Sequence, residues 1–141
     1  MTKENERSRD SRSNPPRSVS AAAAEHLAAK LTAAQDHARL ALVEFLDSYD
    51  PEDQPNFRHA VGQTINLIGA VDELAATIGV SPATMHRWAS GASVPITAAR
   101  AIVAVILKNA LTEGVPSKST RQAALHTASE EAFRSLRRRR T

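Results

Sequence analysis

Five histidines, His26, His37, His59, His86 and His126, are the residues of this chain that could bind a metal or pass a proton near neutral pH. None stands in an H-E-x-x-H pattern, and the chain has no cysteine, so no thiolate can complete a ligand set. Serine and aspartate are present. Yet no G-x-S-x-G elbow, glycine-rich phosphate loop or paired-carboxylate motif sets a nucleophile beside a base. The expectation is a protein that is not an enzyme and holds no metal or cofactor. Two features remain chemically conspicuous. One is the run Arg137-Arg138-Arg139-Arg140, either a phosphate-binding tail or a solvated terminus. The other is the stretch "GVSPATMHRWASG" (residues 79–91), where Met85, His86, Arg87 and Trp88 are bounded by glycines. Trp88 can stack on a base or fill a core, and its spacing from Met85 favours the core.

The charge distribution adds to this. The formal net charge of the 141 residues is +3. Residues 1–20 carry five basic and three acidic groups, whereas residues 21–55 carry two and seven. Residues 56–114 carry four and three, and residues 115–141 carry seven and two. Both ends are therefore basic, which suits nucleic acid or other acidic partners. The N-terminal twenty residues contain no apolar h-region, so no signal peptide is expected. The longest apolar run, Ala101 to Leu107, is too short to span a bilayer. A soluble, cytoplasmic chain with no membrane contact is the expectation.

These residues must be positioned by helices. Alanine is used heavily, and no stretch alternates apolar with polar residues in the manner of a strand. Residues 1–20 have too little apolar surface to offset ordering entropy and read as disordered. Ser20 can cap a long amphipathic, acidic helix whose stripe is Leu27, Leu31, Ala34, Ala38, Leu42, Phe45 and Tyr49. Asp50-Pro51 ends it. That helix reads either as a dimerisation arm or as a cover folded back on its own domain. Asn56 can cap the next helix, which carries Phe57, Val61, Ile65 and Ile68 on one face and stops at Gly69. A short helix (Val71 to Ile78), a turn and a second short helix (Ser81 to Ser90) follow. An apolar helix from Ile96 to about Leu111 comes next. "TEGVPSKST" reads as a linker, and residues 119–139 as a further helix with a thin stripe of Ala124, Ala128, Ala132 and Leu136. The expected fold is all-α: a compact four- to five-helix domain over residues 56–111, preceded by the helix at 21–50. Mostly disordered basic ends, 1–20 and 112–141, flank it.

Two short helices joined at Gly79 meet the demands of a helix-turn-helix. Glycine takes the left-handed turn without steric cost, Val80 plugs the corner, Ser81 caps, and Pro82 suits a first helical position. Ala75 is small where the helices approach, and Leu74, Ile78, Met85 and Trp88 point to one core.

The segment "DELAATIGVSPATMHRWASGASVP" resembles the Cro/phage-repressor type of helix-turn-helix, the XRE-like class. Leu74, Ala75, Gly79, Val80, Ser81 and Trp88 fall at that family's spacing. The continuation "ASGASVPITAARAIVAV" is similar to a Cro-like group of prophage regulators and antitoxins. The resemblance covers about residues 57–110. It implies that the helix from Ser81 to Ser90 lies in the major groove of double-stranded DNA, with Pro82, Ala83, Thr84, His86 and Arg87 facing the bases. Arg87 would bond guanine bidentately, Thr84 a phosphate or a thymine methyl, and Ala83 would make an apolar contact. Ser90, Ser93 and the intervening loop would hold phosphates. The polar pair that opens the first motif helix in such domains is Ala70 and Val71 here, so no cap or phosphate contact carries over to them. With the motif domain near neutral, Arg137, Arg138, Arg139 and Arg140 would supply non-specific attraction.

The implied function is a sequence-specific transcriptional regulator acting as a homodimer. The alternatives are a prophage-type regulator or antitoxin that holds a protein partner through residues 21–50, and an adaptor that binds protein on a helix-turn-helix fold. RNA binding through the arginine-rich ends lacks an aromatic stacking platform.

Overall fold

Proline has no N–H, which a first helical turn would leave unsatisfied in any case. Accordingly the first helix, α1 (Pro15–Asp47), opens on Pro15-Pro16 and not at Ser20, which lies inside it. The computed structural model describes residues 15–140, without the side chains of residues 15–19 and 140. Disorder expected for residues 1–14 falls outside the described residues, while residues 15–20 are helical. The described residues form six helices and no strand. None of these helices is long and apolar enough to cross a membrane.

The chain divides into two units, Met1–His37 and Ala38–Thr141. In the first, all described side chains are exposed, Leu27 and Leu31 by 57% and 54%. In the second, the last turns of α1 bury Leu42 and Leu46, and Tyr49 just after them is buried too. They join a core with α2 (Gln54–Ile68), α3 (Val71–Ile78), α4 (Pro82–Ser90) and α5 (Thr97–Glu113). Phe57, Val61, Leu74, Met85, Val103, Leu107 and Leu111 are its largest fully buried apolar side chains, all at 2% exposure or less. Tyr49, Phe57 and Trp88 form a file of rings, with centroids 6.5 and 5.7 Å apart. The buried hydroxyls of Thr64 and Thr77 donate to the carbonyls of Ala60 and Glu73, at 2.7 and 2.8 Å. Neither hydroxyl is stranded.

Local chemistry sets the helix ends. Asp53, not Asn56, caps α2: its carboxylate accepts from the Asn56 backbone N–H at 3.1 Å and from the Asn56 side chain at 2.6 Å. Pro55 in the first turn fixes the start three residues earlier than Asn56 would. Gly79, at φ 95, turns the chain between α3 and α4, where a side chain would strain the backbone.

The basic C-terminal end forms the further helix read over residues 119–139 and is not a disordered tail. The linker is short, and α6 (Arg121–Arg140) is a helix packed along α5, with contacts to α3. Ala128 and Ala132 are fully buried in that contact. A stripe of small side chains buries little area per residue but lets two helix backbones come close, which the weak hydrophobic pattern conceals. Lys108 on α5 reaches Asp47 at 3.4 Å and Glu131 on α6 at 3.3 Å.

Arg100 on α5 is only 2% exposed. Its Nε donates to the Pro51 carbonyl at 2.6 Å, Nη1 to the Pro95 carbonyl, and Nη2 to Thr97 Oγ1 at 3.0 Å. Nearby, the Tyr49 hydroxyl donates to the Asp53 carbonyl at 2.5 Å. Burial pushes the Tyr49 phenol up to about 12; Arg100 opposes this, and Asp53 and Asp50 add to it. The folded phenol thus holds its proton more tightly than the unfolded one. Its contribution to stability is whole below pH ~10 and is lost as pH rises towards the folded value. Tyr49 is the only tyrosine, so absorbance at 295 nm reports it alone. The native protein is expected to titrate near 12, and the urea-unfolded chain near ~10. Titration of the native protein at the unfolded value would contradict its burial.

Candidate nucleic-acid interface

The candidate surface is built on α4, and its sequence explains how the helix is delimited. The Ser81 hydroxyl accepts from the Thr84 backbone N–H at 3.2 Å, and Pro82 follows in the first turn. At the other end Gly91, at φ 82, takes the left-handed conformation, and the Ala92 N–H bonds to the Arg87 carbonyl at 2.9 Å. Met85 and Trp88 point inward and are buried, with Trp88 edge-on to Phe57. Gly62 on α2 faces Ala89 on α4: a Cβ on Gly62 would meet the Ala89 Cβ at 3.9 Å. These small residues let α2 lie close behind α4.

The opposite side of α4 is outward. Ser81, Pro82, Ala83, His86, Arg87 and Ser90 are exposed and Thr84 is half-buried. Thr84 lies between Ser81 and Arg87 in a hydrogen-bonded row. Its hydroxyl is 3.0 Å from the Ser81 hydroxyl and accepts from Arg87 Nη2 at 3.0 Å. Thr84 therefore does not stand alone as a contact residue. It holds the Arg87 guanidinium along the helix and reduces the rotamer freedom lost when that group docks.

The serines divide. The Ser90 hydroxyl donates to the Arg87 carbonyl at 3.1 Å, so it helps to close the helix, and its proton is not directed to a phosphate. Ser93 is exposed in the loop after α4, and its hydroxyl makes no hydrogen bond among the described residues. It remains available to an anionic oxygen.

One cation at this surface comes from another helix. Arg58 on α2 is exposed, and its stem lies against Gly91, where an added Cβ would come within 2.9 Å of the Arg58 Cδ. Arg58, Ser93, Val94 and Trp88 border a cleft of about 300 Å³ at the end of α4. Sequence reasoning missed Arg58 because it lies outside the motif. The available signal was its place beside Phe57, which fixes it on the flank of the buried face of α2.

The arginine run is only partly available. Arg139 donates to the Tyr49 carbonyl at 2.9 Å and pairs with Asp50 at 3.4 Å, so it fastens α6 to the end of α1. Arg137 is exposed, Arg138 lies along a cleft with Leu46, Lys108 and Glu131, and the Arg140 side chain falls outside the described residues. The structure thus brings residues 81–93 together on one surface and ties Arg139 elsewhere. At the start of α3, Ala70 makes no side-chain cap, and Asp72 and Glu73 are exposed in the first turn. Carboxylates there favour the helix dipole and repel a phosphate.

Comparison with known proteins returns no matching family model, no matching curated protein and no matching solved structure.

Proposed function

We propose that this protein is a sequence-specific DNA-binding regulator that places α4 in the major groove and acts as a pair of chains. The carrying observation is the two-sided build of α4: Met85 and Trp88 are locked in the core while Ala83, Thr84, His86 and Arg87 stand outward. The Thr84–Arg87 bond presents the guanidinium from a fixed base. Arg87 reads a guanine, Thr84 positions it, and Arg58 and Ser93 hold phosphates at the end of the helix. Two copies reading half-sites about one DNA turn apart give the pairing its use.

Selection of bound sites from a random DNA pool supplies the preferred sequence, and fluorescence anisotropy then measures the Arg87→Ala variant on it. The expected loss is about 1–3 kcal/mol on the preferred site, with relaxed choice at one base position. An equal loss on every sequence would reduce Arg87 to a phosphate contact.

A second reading has its own observation. Exposed Asp72 and Glu73 at the start of α3 suit a basic protein surface better than a nucleic-acid backbone. In that reading the helix-turn-helix is an adaptor. A gel shift with mixed DNA at low salt separates the two, since complete absence of binding favours the adaptor.

A further inference from the structure

We propose that α1 pairs antiparallel with α1 of a second copy of this chain, about a two-fold axis near Asp36. Leu27, Leu31, Ala34, Ala38, Ala41 and Phe45 follow one another at alternating intervals of four and three residues along α1. That alternation is the seam of a coiled coil. Leu27 and Leu31 are more than half exposed, Ala34, Ala38 and Ala41 are exposed, and Phe45 is partly so. Packing along an apolar face supplies more of a helix's stability than intrinsic propensity does.

Beside the later part of the seam a groove of about 350 Å³ is already formed. Ala38, Ala41 and Phe45 of α1 make one wall, and Ala60 and Leu67 of α2 contribute to the other. The occupant follows from size and charge. In antiparallel register Leu27 meets the partner's Phe45, Leu31 the partner's Ala41, and Ala34 the partner's Ala38. The two leucines arrive at the groove, Leu31 falls over an alanine, and the alanine layers at the axis let the two helices approach closely. A parallel pair would instead set each residue on its own copy, with Phe45 on Phe45 beside three successive alanine layers and no partner for Lys30.

Charge points the same way. Lys30 and Glu44 each stand one residue before a seam position, Leu31 and Phe45. Antiparallel pairing brings Lys30 against the partner's Glu44, twice by symmetry. Among the described residues neither has an ion-pair partner within its own chain. One chain therefore carries both halves of the match, and a second copy completes it. This deepens the paired reading proposed above, but it is tested without DNA. Failure of DNA binding with the pair intact would overturn only the DNA reading.

Light scattering of the full chain is expected to give twice the 15.2 kDa of one chain. Leu27→Glu with Leu31→Glu is expected to return it to a single chain without change in Trp88 emission, because both positions are exposed. Lys30→Glu is expected to weaken the pair by about three- to tenfold, and adding Glu44→Lys to restore it. The absence of native cysteine permits a direct test of direction. Leu31→Cys mixed with Ala41→Cys should cross-link across chains on mild oxidation, and Leu31→Cys alone should not. A single-chain mass at all concentrations, a pair that survives the double glutamate variant, or self-linking of Leu31→Cys would each overturn the proposal.

Discussion

Arg100→Ala is expected to destabilise the protein by about 3–4 kcal/mol, close to the upper end for a single substitution. The guanidinium is buried and divides its donors among the carbonyls of Pro51 and Pro95 and the hydroxyl of Thr97. It joins the link between α1 and α2 to the loop before α5. Removing it forfeits hydrogen bonds from a charged donor and leaves carbonyl groups without partners, each costing about 1–3 kcal/mol. Arg100→Lys is expected to recover less than half of the loss, because an ammonium cannot span three acceptors as a planar fork does. Urea unfolding followed by Trp88, the single tryptophan, measures both variants. A loss below ~1 kcal/mol for Arg100→Ala would mean that water replaces the guanidinium.

Phe57→Ala is expected to cost about 3–5 kcal/mol, the range for deleting a buried aromatic ring. Phe57 is 1% exposed and stands between Tyr49 and Trp88 in the file of rings. Its loss opens a void directly beneath α4. Trp88 emission in the native state is expected to shift to longer wavelength before any denaturant is added, because its neighbour is gone. Unfolding curves together with emission spectra test this. Destabilisation without an emission change would place the void away from Trp88.

The helical class and the core of the motif were legible because their signals are local. Gly79, Ser81 and Gly91 punctuate α4, and the helical period alone assigns Met85 and Trp88 inward. The cap of α2 was read one turn late, since Asp53 and Asn56 are both capping types and Pro55 settles the choice. Arg100 was not legible. It reads as a lone charge in an apolar helix, and the carbonyl of Pro51 that it serves is 49 residues away in sequence. Arg58 was hidden for a related reason, because only packing brings α2 against Gly91. The C-terminal helix was recognisable as a possibility, yet alanine stripes give a faint signal, and the Arg139–Asp50 pair that fastens it is a long-range contact.

The two sides of α4 have one more consequence. Met85 and Trp88 hold the helix in place, and the exposed side chains of Ala83, His86 and Arg87 take no part in that packing. Substitutions in the outward row therefore leave the scaffold nearly as stable as before. Divergent lineages, or an engineer, can alter the outward face of this helix while inheriting the same framework. Arg87 is the exception only through Thr84, so those two positions are expected to evolve together.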